Sequence, residues 1–206
     1  MKRPKFSKKR IVLLLTITSL IGVLFAPSAY SYFLDKGMST GNVLAAGSLD
    51  LLVDGTDANV VKFSVSNMAP GNQPKTTYNL TNIGTLTGYL DIENINMTDN
   101  ENTRIGPEIL AGDTTDGVGE LSSVLGCNIF IDYGGDGWFS TGDVTIYNAI
   151  TSGLPTNFEL DEPIAPGTSV YITVIFNWWS TANDNQAMTD SIDLDVSFEL
   201  AQTTGQ

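Results

Sequence analysis

The chain has 206 residues, with 10 lysines and arginines against 23 aspartates and glutamates, a formal charge of −13, one cysteine and no histidine. So acidic a chain repels nucleic acid and anionic lipid. An internal disulfide is excluded, and so are Ser-His-Asp, Cys-His and histidine-based zinc chemistry.

The first 31 residues carry six of the basic groups (Lys2, Arg3, Lys5, Lys8, Lys9, Arg10) and no acid. Residues 11–26 are almost wholly apolar. A charged region followed by an apolar one of this length reads as an export signal, residues 1–31. Pro27 and Ser28 break the helix, and Ala29 and Ser31 put small residues at −3 and −1 of a cut by signal peptidase before Tyr32. An uncleaved anchor is the alternative, but the apolar run is short for spanning ~30 Å at 1.5 Å per residue. Cleavage leaves four cations (Lys36, Lys62, Lys75, Arg104) and all 23 acids, a charge of −19. Copies of such a product repel one another unless the charge is screened or neutralised.

Residues 32–46 follow as an extended arm bearing Tyr32, Phe33, Leu34, Met38, Val43 and Leu44 among small and polar residues. Alone, the arm would expose apolar side chains and unpaired backbone. Added to the sheet edge of another copy, it would satisfy both. A self-folded first strand or a flexible terminus is the alternative.

Beyond the arm, a single domain over 47–202 shows period-two alternation, the mark of half-buried strands. Strands are predicted at 49–53, 60–66, 76–81, 86–95, 127–132, 144–147, 158–160, 169–179 and 191–200, separated by turn-forming clusters such as "APGNQP", "TNIGT", "GGDG" and "APGTS". The last strand is the clearest, with Ile192, Leu194, Val196, Phe198 and Leu200 on one face. The strand before it is half apolar on its second face through Tyr171 and Ile175, which suggests a central strand or a covered outer face. Residues 99–119 read as a long polar loop, 148–153 as a single turn at most, and 203–206 as a frayed tail. No stretch after the signal has convincing helical periodicity. The fold class is therefore all-β: an antiparallel β-sandwich of jelly-roll or Greek-key type.

Cys127 opens the strand "CNIFI" and reads as a buried thiol. The loop "DYGGDGWFSTGD" overlays a twelve-residue calcium loop with Asp132 at position 1, Asp136 at 5, Gly137 at 6, Ser140 at 9 and Asp143 at 12. Gly134 stands where a side-chain oxygen is wanted at 3, and a glycine-rich hairpin loop explains the same residues and is the preferred reading. Calcium is the one cofactor considered, and none is required. In "STANDNQAMTDS", Asp184, Asn185, Gln186 and Asp190 offer oxygens, which Asx-type turns explain as well. Asn79 and Asn96 head N-x-T sequons, glycan acceptors in an exported protein.

Three stretches together resemble the TasA and camelysin family, which includes biofilm-matrix fibre subunits and similar archaeal bundling pilins. They are "AYSYFLDKG…NVLAAGSLDL", "NMAPGNQPKTTYNLTNIGTLTGYLDI" and "DNQAMTDSIDLDVSFELAQ". Residues 99–155 show no such likeness. The resemblance implies a jelly-roll domain that polymerises by donor-strand exchange. It also brings a metallopeptidase label, yet this chain has no His-Glu-x-x-His. The expectation is a secreted, non-enzymatic subunit of an extracellular or cell-surface filament. Its partners are other copies of itself, and neither nucleic acid nor, after cleavage, the membrane. The rivals are a monomeric surface-attached β-domain that binds a partner or glycan, and an enzyme, which would need a carboxylate-lined cleft.

Overall fold

The computed structural model describes residues 47–57 and 60–205. The signal-cleavage residues Ala29, Ser31 and Tyr32 and the arm with Phe33, Leu34, Val43 and Leu44 lie outside the described residues.

Nine strands are present among the described residues: β1 (Leu51–Val53), β2 (Val60–Val65), β3 (Lys75–Asn82), β4 (Gly88–Asn100), β5 (Leu125–Ile131), β6 (Val144–Ile150), β7 (Phe158–Ile164), β8 (Ser169–Trp178) and β9 (Ser191–Ala201). They form two antiparallel sheets, in the orders β1-β3-β8-β5-β6 and β2-β9-β4-β7. Pairing is nested: β2 with β9, β3 with β8, β4 with β7 and β5 with β6. The first strand of the series therefore finds the last, and the middle two form a hairpin.

The alternation seen in the sequence is the alternation of burial. In β9, Ile192, Leu194, Val196 and Phe198 are buried, while Asp193 and Glu199 are exposed. These side chains meet those of the other sheet, with Phe63 of β2 stacked on Phe176 of β8 and Tyr78 of β3 tilted against Phe198 of β9, ring centroids 5.7 Å apart in both pairs. One continuous apolar core results. β8 is central in its sheet, and its outer face is also covered: Thr173 and Ile175 are buried.

Two predicted boundaries shift for identifiable reasons. β4 runs on to Asn100, because a bulge between Glu93 and Asn96, with Asn94 at φ 49°, re-registers it against β9. β7 continues through Pro163, which is tolerated because β7 is an edge strand.

The predicted loop at 99–119 is corrected by a short helix, α1 (Gly106–Ala111), and a single turn, α2 (Leu121–Val124), follows it. In α1, Pro107 starts the helix, Glu108 reaches back to accept the Ile105 N–H, and Gly112 ends it at φ 94°. Six residues are too few to display a period, so the capping residues were the available signal.

The β3–β4 turn is tied down by Asn82, which is fully buried. Its amide donates to the carbonyls of Leu86 and Ile164, 2.8 Å each, and its oxygen accepts from Gly84 N–H. The residues before β1 run along this turn, Ser48 O accepting from Thr85 and Leu86 N–H. Gly84 is required by that approach: a Cβ there would stand 2.4 Å from Ser48 O. Replacing Asn82 with Ala strands two carbonyls and one N–H, so urea unfolding of Asn82→Ala should show a loss of about 2–4 kcal/mol.

Candidate functional site

The predicted calcium loop, residues 132–143, joins β5 to β6 and folds back over the outer face of the β8 sheet. Asp132 is completely buried. One of its carboxylate oxygens accepts from Gly135 N–H, and the other from Gly137 N–H and from the Thr173 hydroxyl on the outer face of β8. Phe139 stands edge-on to Phe130. Lys75 of β3 donates to the Gly137 carbonyl and lies 3.7 Å above the Trp138 ring. Asp143 accepts from Tyr133 and Ser140 N–H and the Ser140 hydroxyl, and these bonds, Ser140 N–H foremost, hold its carboxyl below the usual range. Asp136 accepts from Trp138 N–H. Each carboxylate is thus spent on loop amides, and Asp132, Asp136 and Asp143 do not gather into one group of ligand oxygens. The geometry is that of a hairpin loop clamped by its own acids.

In the β8–β9 connection the predicted oxygen donors separate. Asp184 collects Trp178 Nε1–H, Thr181 N–H and the Thr181 and Ser180 hydroxyls. Gln186 bonds the Ala111 carbonyl, and Asn185 is exposed. Asp190 turns elsewhere. Of the two sequons, Asn96 is exposed on β4, whereas Asn79 is half-buried within β3 and accepts from the Thr81 hydroxyl. Cys127 is buried, and burial pushes its thiol up to about 12, which leaves it inert.

A second acidic group was not visible in the sequence. The register of β4 on β9 sets Asn100 opposite Ser191. Glu101, the residue after β4, is thereby brought beside Asp190, the residue before β9. Glu120, just ahead of α2, completes the group, and one oxygen from each of the three lies within 4.8 Å of the others. Asp190 is 4% exposed and accepts Glu120 N–H at 2.6 Å. Glu108 and Asp113, both buried, press on the group from the α1 side. Desolvation, then the charge of Asp190, Glu108, Asp113 and Glu120, pushes Glu101 up to about 7. Desolvation likewise carries Asp190 to about 6. Asp190 was noted in the sequence; Glu101 lies in the stretch read as loop and Glu120 just past it, and they are joined to Asp190 by the β4–β9 pairing and by the Glu120 N–H.

A third feature is an open sheet edge. β1 pairs only with Leu80–Asn82 of β3, and past Asn79 no strand lies on that side among the described residues. Asp54 bonds Asn79 there through backbone and side chain, so Thr77 and Lys75, two and four residues back, turn their N–H and C=O groups to the same open side. Apart from this edge, a groove of about 580 Å³ runs between Leu49–Leu51 and Ser197–Leu200.

A family model described as camelysin metallo-endopeptidase matches residues 7–116, just over half of the chain. No curated protein matches it. Among the described residues, no helix is long and apolar enough to cross a membrane.

Two outcomes follow from the acids. Asp132→Ala releases two loop amides and a threonine hydroxyl, and should cost about 2–4 kcal/mol in denaturant unfolding whether calcium or a chelator is present. The raised carboxyls of Glu101 and Asp190 bind protons in the folded chain at a pH where the unfolded chain, near 4.5 and 3.8, does not. Their contribution to stability is full below those unfolded values and is lost as pH rises through about 6 to 7. In chelator, the melting temperature should therefore rise on acidification from pH 8 to pH 5. Asp143 and Asp184 act in the opposite sense, but only below their ordinary range near 3.8.

Proposed function

The chain belongs to the camelysin family, and from that premise we propose that it is a secreted structural subunit of an extracellular filament, joined by donation of the arm at 32–46 to the next copy. The nested pairing and the orders β2-β9-β4-β7 and β3-β8-β5-β6 are those of a jelly roll with β1 added at one edge, which supports the fold this reading requires. The observation that carries it is the open edge of β3. Backbone groups at Lys75 and Thr77 lie beyond the Asp54 end of β1, whereas the chain leading from the arm enters at Leu51, opposite Asn82, so a strand that pairs with them is one taken from another copy. An added strand would pair with them, and its apolar residues Tyr32, Phe33, Leu34, Val43 and Leu44 would leave water. At ~1.5–3 kcal/mol per buried side chain, about four or five of them supply ~6–15 kcal/mol before association costs of several kcal/mol. A head-to-tail contact of this kind does not close on itself, so it grows filaments. Cleavage before Tyr32 is the step that frees the arm.

The family's description names a metallo-endopeptidase, and the residues do not fit a zinc centre of that kind. Such a zinc takes nitrogen or sulfur ligands in most of its positions. The chain has no histidine, and its single cysteine is a buried, protonated thiol. We read it as non-enzymatic. A second reading, a monomeric domain that binds a partner or glycan, is favoured by Tyr133, Trp138 and Phe139, three exposed aromatics on one loop.

Deleting residues 32–46 from the secreted form separates the two. The filament reading expects a folded monomer by negative-stain microscopy, and a synthetic arm peptide that binds this monomer and caps growing fibres. Normal filaments from the truncated chain would refute arm donation; a full-length secreted form that never polymerises would favour the monomeric domain.

A further inference from the structure

We propose that the end of the β4–β9 pair is a binding site for a hard divalent cation of calcium size, held by Glu101, Glu120 and Asp190 with Asp113 beside them. The three gathered oxygens lie within 4.8 Å of one another. Oxygens on opposite sides of a calcium ion, at 2.3–2.6 Å from it, stand roughly 5 Å apart, so one ion reaches all three.

The independent sign of a ligand is the set of oxygens left over. Asp190 is 4% exposed, and no amide or hydroxyl donor reaches its Oδ1; within the group only a protonated Glu101 carboxyl could bond to Asp190. Both oxygens of Glu101, Oε2 of Glu120 and Oδ2 of Asp113 are likewise out of water and without an amide or hydroxyl donor. Elsewhere the chain gives its buried acids amide or hydroxyl donors, as at Asp132 and Asp91. Here the donors stop short: Glu120 N–H reaches Asp190 Oδ2, Thr115 N–H reaches Asp113 Oδ1, and the single Thr115 hydroxyl proton is shared among Glu120 Oε1, Asp113 Oδ1 and the Val118 carbonyl. Asp190, Glu120 and Asp113 are each fixed by one oxygen and present the other, and Glu101 presents both. The nearby cation cannot fill the gap, because Arg104 is paired with Asp116 at 2.8 Å. An all-carboxylate group suits calcium, which accepts irregular oxygen cages, better than magnesium, which holds its waters and demands near-octahedral geometry. The bound ion would pin residues 101–120 to the sheet, because its ligands come from the two ends of that segment and from the start of β9.

The test uses the purified secreted chain, stripped with chelator and titrated with calcium chloride by calorimetry, with magnesium chloride at equal ionic strength as control. One saturable calcium site per chain is expected. Glu101→Gln removes a charge but no hydrogen bond, so it folds, and it should weaken calcium at least by the ~10–100-fold that loss of an outer-shell partner alone costs. Without calcium, Glu101→Gln should melt higher than the unaltered chain, since repulsion is relieved; with calcium the order should invert. Asp136→Ala, in the 132–143 loop, should bind as the unaltered chain does. Trypsin gives a local readout: calcium should slow cleavage after Arg104 in the unaltered chain and not in Glu101→Gln. Absence of a saturable site, equal response to magnesium, or calcium binding unchanged by Glu101→Gln overturns the proposal and leaves carboxyls neutralised by protons alone.

Discussion

A buried carboxylate must be given positive partners, and after its first 31 residues this chain has four cations to offer 23 acids. Backbone amides take the place of the missing cations. Asp132 draws on Gly135 and Gly137, Asp91 on Leu160 and Asp161, Asp99 on Ser122, and Asp184 on Thr181. An N–H carries only a partial charge, so two or more must converge to hold a buried anion. Convergence of that kind needs tight turns, and the chain supplies glycine where the turns occur. Gly135 and Gly137 both take positive φ around the Asp132 carboxylate. The fold's polar loops are shaped by their acids as much as its strands are shaped by their apolar faces.

That constraint explains why the outer face of the β8 sheet is closed. Thr173 points away from the inter-sheet core and is covered by the loop at 132–143, where Asp132 accepts its hydroxyl. Asp132 ties this loop to β8 through Thr173, Phe139 packs it onto Phe130 of β5, and Lys75 of β3 bonds its Gly137 carbonyl. Asn82 does the corresponding work at the β3–β4 turn with a neutral amide, where carbonyls as well as an N–H need partners and a carboxylate would have repelled them.

The strands were legible because a sandwich imposes one rule on every strand: apolar toward the partner sheet, polar away. "SIDLDVSFEL" obeys it residue by residue, and the burial of β9 repeats it. The exception, Tyr171 and Ile175 in β8, correctly pointed to a covered second face. The loop at 132–143 was read as a choice between an ion site and a hairpin because both need acceptor oxygens spaced around turn glycines. Sequence does not say whether a carboxylate faces inward to amides or outward to an ion. The group at Glu101, Glu120 and Asp190 was not legible at all. Its members are spread over 89 positions, and what unites them is the register of β4 on β9, bulge included, which moves every residue beyond Asn96 relative to its partner.

The same bookkeeping of charge joins the fold to the proposed assembly. In the proposed filament, a subunit cleaved before Tyr32 would carry −19 and resist the approach of another whatever its arm could bury, since apolar gain is short-ranged and the repulsion extends over a Debye length of about 8–10 Å. Amides settle charge inside the chain but leave the net charge untouched. Only ions from solution lower it, by screening everywhere and by binding where several carboxylates share too few donors. The end of the β4–β9 pair is such a place. An ion held there would remove two charges from the subunit and fix residues 101–120, so that the step that completes the local fold would also ease contact between copies. Stability, surface charge and, in the proposed filament, self-association are in this way set by one shortage, that of cations in a chain built from acids.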